Sequence, residues 1–156
     1  ANKIAAESEA DKYAGLLEPE YLATDIPDLD LHFDWDMANE AIIELAVACD
    51  QSAKRVDKRI DQIDDTSVNY YRGISSYGNS NGFVGAYRGS RYGISCVAVG
   101  SSNGGMQRGY WYSSARDPQD LQDHETIGRT AAERTLRKLD ARKIPTEKVP
   151  DRTRVV

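Results

Sequence analysis

Gly78-Asn79-Ser80-Asn81-Gly82 spells a G-x-S-x-G pattern, and its reading decides the fold. In a serine-hydrolase nucleophile elbow the serine sits on a sharp turn between a strand and a helix, so that the helix N-terminus helps form the oxyanion hole. That reading demands a helix after Gly82. The residues beyond Gly82 are FVGAYRGSRYGIS, which is strand-like and too rich in glycine to hold one. Asn81-Gly82, with strand patterns on both sides, is instead a hairpin-turn signal, because both residues tolerate positive φ. The two histidines, His32 and His124, lie in no setting that suggests a triad base. Ser80 reads as part of a turn.

Working outward, the tract from Asp61 to Asp117 holds ten of the twelve glycines and seven of the nine tyrosines, while long-chain helix formers almost vanish. Four short alternating stretches stand out: SVNYYRGISSY, GFVGAYRG, YGISCVAVG and MQRGYWYSS. The turn-like clusters GNSNG, GSR and SSNGG separate them. Links this short suit an antiparallel meander, since parallel strands need long crossovers. With helices on either side in sequence, one face of the sheet is expected to be covered and the other wet.

The flanks are helical. Apolar residues Trp35, Ala38, Ile42, Leu45, Ala46, Cys49, Ala53, Val56 and Ile60 recur at steps of three and four, predicting a helix over 35–60 with Asp34 or Asp36 as N-cap. Asp117-Pro118 offers an N-cap followed by Pro at N1, predicting a second helix over 118–142 that Pro145 ends. Residues 1–34 begin with a short helical stretch, and Pro19 and Pro27 then make the remainder a connector that wraps the surface. The expected fold class is α+β: an antiparallel β meander (61–116) flanked by two amphipathic helices, in one domain over residues 35–150.

Length and composition suit one globular domain, and no apolar run is long enough for a bilayer. Without a signal pattern at the N-terminus, a cytoplasmic location is expected. Cys49 and Cys96 fall on a predicted helix and a predicted strand, so buried free thiols are expected. Net charge is −5, but residues 129–156 carry nine Lys+Arg against four Asp+Glu. Arg137, Lys138, Arg142 and Lys143 there complement a helix C-terminus. The acidic remainder and the lack of stacking aromatics in that segment argue against nucleic-acid binding.

His124-Glu125-Thr126-Ile127-Gly128-Arg129 begins like a helical zinc motif. A zinc site needs a second imidazole one turn on, where Arg129 stands, and a guanidinium cannot coordinate. This segment reads as the polar first turn of a helix. Asp28/Asp30, Asp34/Asp36 and Asp64/Asp65 read as caps and turn formers at element ends, since none has the glycine turn and terminal Glu of a calcium loop. The residues thus name no catalytic, cofactor-binding or metal residue.

Several blocks in order closely resemble the PmbA branch of the PmbA/TldD family. They are PDLDL, EAIIELAVACDQSAKRVDKRI, GNSNGFVGAY, MQRGYWYSSARD and GRTAAERTLRKLDARKIPTEKVP, and the resemblance covers the chain from about residue 1 to Pro150. The family is often labelled a modulator of DNA gyrase. The resemblance implies a dimeric cytoplasmic zinc peptidase acting on peptides and small unfolded proteins, in TldD–PmbA or like-with-like pairs. The TldD-type subunit carries an H-E-x-x-x-H zinc motif, and the PmbA-type subunit lacks it. No such motif occurs here, and HETIGR precedes the AERTLRKLDARKIPT block that the family's zinc motif follows. The resemblance therefore carries no catalytic or metal residue onto this chain, and zinc is expected only in a TldD-like partner.

Family chains are longer, and the last six residues, DRTRVV (151–156), do not look like the apolar strand expected after KVP. A fragment of a longer PmbA-like protein is expected. Two functions are open: part of a non-catalytic subunit of a cytoplasmic metalloprotease, or a stand-alone peptide-binding or scaffold module using an exposed strand edge. In either, glycines admit a partner backbone and tyrosines supply amphipathic contact area.

Overall fold

The computed structural model describes residues 2–9, 11–143 and 145–146. Among these, the helices are α1 (Asn2–Glu7), α2 (Asn39–Lys54) and α3 (His124–Leu136), and the strands are β1 (Ile60–Gly78), β2 (Val84–Ser102) and β3 (Gly105–Ala115). The strands form one antiparallel sheet in the order β1-β2-β3, with α2 before it and α3 after it in sequence. The α+β meander expected from sequence is the observed fold. The DRTRVV tail lies outside the described residues.

Three strands replace the four expected stretches, because GFVGAYRG and YGISCVAVG are one continuous strand. Gly89-Ser90-Arg91, read as a turn, runs extended through the middle of β2, paired with Gly73, Arg72 and Tyr71 of β1. Tertiary contacts override the local turn chemistry. The Ser90 amide donates to the Leu31 carbonyl (2.9 Å), and its hydroxyl accepts from the Phe33 amide (3.0 Å) and donates to the Arg116 carbonyl (2.9 Å). The small residues at 89 and 90 admit a neighbouring backbone.

The hairpin at GNSNG is real but wider than a two-residue turn. Asn79–Phe83 form the loop, and only Gly82 takes positive φ (90°). The Asn79 side chain accepts from the amides of Asn81 (3.1 Å) and Phe83 (3.2 Å), which closes the loop without the left-handed Asn81 that sequence favoured.

Both helices are shorter than predicted. Trp35 packs edge-on against Tyr92, with ring centroids 5.2 Å apart, and this holds the preceding chain extended, so α2 starts at Asn39. Neither Asp34 nor Asp36 caps it: Ala38 is the N-cap, and Asp34 pairs with Arg72 (2.9 Å). At the other end Asp57 accepts from the Arg59 amide (2.9 Å) and from its guanidinium (Nη2, 2.9 Å), turning the chain into β1. The Arg59 side chain, followed by its amide, holds the Asp57 carboxyl at about 2.

The segment 118–142 splits. Asp117 caps only a 3-10 turn, Pro118–Asp120, by accepting from the Gln119 amide (2.8 Å). Gln122 is then tied to β3, its amide donating to Ser113 (3.0 Å) and its side chain accepting from the Trp111 indole (2.9 Å). The helix starts one residue after Asp123, whose carboxylate accepts from the Thr126 amide (2.8 Å). It ends early because Asp140 turns into the left-handed region (φ 59°) and accepts from the Ser102 hydroxyl (2.7 Å).

The core lies between the helices and one face of the sheet. Cys49 and Ala53 of α2, Ile60 of β1, Ile127, Ala131 and Ala132 of α3, and Ile94, Cys96 and Ala98 of β2 are its buried members. Each α3 contributor follows helical spacing, so a single stripe faces the sheet. Small residues set the distances. A Cβ on Gly128 would lie 2.1 Å from Ser52 Oγ and 2.3 Å from the Cys49 carbonyl oxygen, and one on Gly109 would lie 2.7 Å from the Thr135 amide. Thr135 links the layers, its hydroxyl lying 2.9 Å from the Ala131 carbonyl and 3.1 Å from that of Ala98. The connector touches the hairpin at two places: the Leu17 carbonyl accepts from Asn81 (2.9 Å), and residues 31–33 are fastened to Ser90.

Candidate functional site

Strand alternation divides the sheet into two unlike faces. Even-numbered β2 residues from Ser90 to Ala98 are buried towards the helices, so their odd-numbered neighbours stand on the helix-free face. Register then places Tyr71 opposite Arg91 and Asn69 opposite Gly93, with Ser114 beyond Gly93 and Tyr112 beyond Ser95 on β3. These residues line a shallow groove of about 360 Å³. Gly93 is its floor: an added Cβ there would meet only the Ser113 carbonyl oxygen, at 3.6 Å.

The rim is aromatic and cationic. Tyr71 lies back over Gly73, where a Cβ would come within 2.8 Å of the ring carbon bearing its hydroxyl. Tyr112 is 57% exposed and stacks on Tyr110, with ring centroids 6.4 Å apart and planes at 15°. Arg91 Nε donates to Ser114 Oγ (3.1 Å), which orients the guanidinium, and Arg91 makes no ion pair among the described residues. Such a surface can hold an extended chain: a bare floor for its backbone, flat rings for its side chains and one free charge.

A second concavity, of about 350 Å³, lies further out on the hairpin between Ile26 and Leu29 of the connector and Tyr77, Phe83 and Tyr87 of the strands. Here the chain's own connector already occupies the sheet. A Cβ on Gly85 would lie 3.0 Å from Ile26 Cδ1.

The residues singled out from sequence are scattered. Ser80 sits in the hairpin loop between two strands, not before a helix. His124 opens α3 as the polar first turn expected, with Glu125 4.0 Å from Arg55 and Arg129 bonded to the Thr126 hydroxyl (3.2 Å). His32 lies in the connector. Asp28 accepts from the Asp30 amide (3.0 Å), a turn role as expected. Asp64 and Asp65 are a correction, for they lie inside β1 at an irregularity of register; Asp64 pairs with Arg108, and Asp65 accepts from Ser67 (2.7 Å). Cys49 and Cys96 are free and buried, as expected, and the hydrogen bond to Cys96 together with burial pushes the Cys49 thiol up. Sequence reading noticed the glycines and tyrosines but named none of the groove residues. The signal that could have found them is the odd-numbered series Tyr71, Gly73, Gly89, Arg91, Gly93, which shares one face once the strand is read as continuous.

Among the described residues no three His, Cys, Asp or Glu side chains are grouped so as to hold a metal ion. Nor is any described helix long and apolar enough to cross a membrane.

A family model described as the PmbA/TldA metallopeptidase central domain matches residues 34–139. The chain belongs to that family. Among PmbA relatives, it is 38% identical over 147 residues to the metalloprotease PmbA of Escherichia coli O157:H7, covering 94% of this chain and 33% of the relative. It is 32% identical to the PmbA homologue of Haemophilus influenzae, with the same coverage. This chain spans about a third of the length of the curated relatives it matches. A crystal structure from Bacteroides thetaiotaomicron, named as a candidate modulator of DNA gyrase, aligns with TM-score 0.73 and 28% identity over 91% of this chain and 33% of that one. A similarly named structure from Thermotoga maritima aligns with TM-score 0.70 over 79% of this chain and 28% of that one; at 19% identity it speaks for the fold alone.

Proposed function

We propose that this chain is part of a PmbA-type subunit with no catalytic centre of its own, in a cytoplasmic zinc metalloprotease of the TldD/PmbA kind. A TldD-like partner would supply the zinc, or the chain would pair with its own kind. Its task is to hold peptides or unfolded proteins along the helix-free face of the sheet. The observation that carries this reading is the groove over Gly93, a bare backbone floor between exposed tyrosines, in a chain whose described residues group no three potential metal ligands. Members of this family named metalloprotease supply the class of reaction.

The test is cleavage of an unfolded reporter peptide by the protein alone, by a TldD-like subunit alone and by the mixture, each with and without chelator. The expected result is no cleavage by the protein alone and chelator-sensitive cleavage by the mixture, slowed at least about tenfold when Gly93→Val fills the floor. Chelator-resistant cleavage by the protein alone would sink the proposal.

A stand-alone peptide-binding or scaffold module is the second reading. It is favoured by β1, whose outer edge has no strand neighbour among the described residues and could take an added strand. Tight peptide binding that a TldD-like subunit neither strengthens nor converts into cleavage would favour it.

A further inference from the structure

We infer that the groove over Gly93 is a subsite for a carboxylate side chain of an extended peptide, with Arg91 as its anchor. The inference rests on the peptide-handling reading and names the class of substrate that this face selects.

Charge is the first observation. Between Asp65 and Asp117 the chain contains no Asp, Glu or Lys, yet it contains Arg72, Arg88, Arg91, Arg108 and Arg116. A sheet with cations of only this kind is suited to carboxylates, because a guanidinium offers a planar fork that matches two oxygens. Two of these arginines are already engaged, Arg108 with Asp64 and Arg72 with Asp34. Arg91 is not, and Ser114 holds its Nε so that the remaining nitrogens are left for a ligand.

The second observation is a precedent within the molecule. Residues 26–34 of the connector, IPDLDLHFD, are acidic, turn at Asp28–Asp30 where Asp30 takes positive φ, and pack on the outer half of the same hairpin. Ile26 covers Gly85, the Leu31 carbonyl accepts from the Ser90 amide, and Asp34 lies on Arg72. Arg72 stands opposite Ser90 on the inward side while Arg91 and Gly93 stand on the helix-free face, so the two places share their chemistry and not their layout: a bare glycine, strand backbone and a guanidinium that a carboxylate can reach. An acidic segment is thus the occupant whose chemistry this sheet already accepts.

A nucleic acid fits less well. Its backbone presents a phosphate at every step and needs a track of cations, whereas the groove offers one unpaired arginine.

The experiment is fluorescence anisotropy of the protein with a labelled peptide built on alternating Asp and Leu. Its Asn-for-Asp counterpart and a labelled single-stranded oligonucleotide are measured beside it. Arg91→Gln is expected to weaken the Asp peptide about tenfold, the size of one charge-assisted pair, and to leave the Asn peptide within about twofold. Ser114→Ala, which keeps the charge but frees the guanidinium, is expected to weaken the Asp peptide about threefold. Thermal unfolding of both variants at the wild-type midpoint shows that the fold is intact. Equal binding of the two peptides, unmoved by Arg91→Gln, would overturn the carboxylate subsite and leave the peptide-handling reading standing. No binding of either peptide would overturn both. Arg91-dependent binding of the oligonucleotide in preference to the Asp peptide would reassign the face to phosphate.

Discussion

From Tyr92 to Ser102, β2 lies between two strands and under α3, and its inward residues Ile94, Cys96 and Ala98 are buried. From Val84 to Gly89 the same strand pairs only with β1, and its inward residue Val84 is 77% exposed. Both halves are rich in glycine and small residues, yet those residues serve opposite ends. In the inner half Gly100 lies close under Thr135, and Gly109 of β3 and Gly128 of α3 continue the same close packing of layers. In the outer half they leave backbone bare for another segment of the chain, as Gly85 does for Ile26. Packing between layers is concentrated in the inner half, whereas in the outer half the sheet is covered by the connector.

Substitutions can break this contrast. The largest effect is expected from Gly128→Ala. The new methyl must displace Ser52 and the Cys49 carbonyl oxygen, so the helices separate, at a cost of about 3 kcal/mol in denaturant unfolding. A loss under about 1 kcal/mol would mean that the inner half is looser than described.

A smaller effect is expected from Asp123→Ala, which removes the cap of α3 at a cost of about 1 kcal/mol at neutral pH. Hydrogen bonds from the Thr126 side chain and then its amide hold the Asp123 carboxyl below its ordinary value of 3.8. A carboxyl depressed in the folded state contributes above its unfolded pKa and loses that contribution as pH falls through the folded one. The gap between wild type and variant should therefore be steady at neutral pH and close progressively below about pH 4. Stability curves of the two proteins that remain parallel into acid would contradict this.

The smallest effect is expected from Ile74→Thr. Ile74 stands on the inward side of the outer half but is 65% exposed, so its loss should change stability by no more than about 0.5 kcal/mol. If it costs as much as a core substitution, the outer half is packed in solution against something absent from this chain.

How much of this was legible in sequence tracks the same division. The helix before and the helix after were visible because apolar spacing is a property of each segment by itself. The hairpin at GNSNG was visible because a strand pattern stands where an elbow needs a helix. The continuity of β2 was not, since Gly89-Ser90-Arg91 has good turn chemistry and only pairing with β1 and the bonds of Ser90 keep it straight. The start of α3 was missed for a related reason: Asp117-Pro118 satisfies the local capping rule, while Trp111 and Ser113 detain Gln122 on β3. The groove needed more still. Register shifts between Ile60 and Gln62 and between Ile63 and Asp65 set which parity of β1 faces which side, and a one-residue slip would send Tyr71 to the other face.

Ser90 gathers three distant parts of the chain at one hydroxyl: the connector at Leu31 and Phe33, the strand itself, and the exit from β3 at Arg116. The bond to Arg116 depends on how β3 lies beside β2, so the N-terminal segment docks on a side chain that the third strand also holds. The Phe33 amide is a natural reporter of that docking. In hydrogen exchange that amide should open together with the connector and before the amides of the inner strands, a built-in indicator of whether the sheet has been completed.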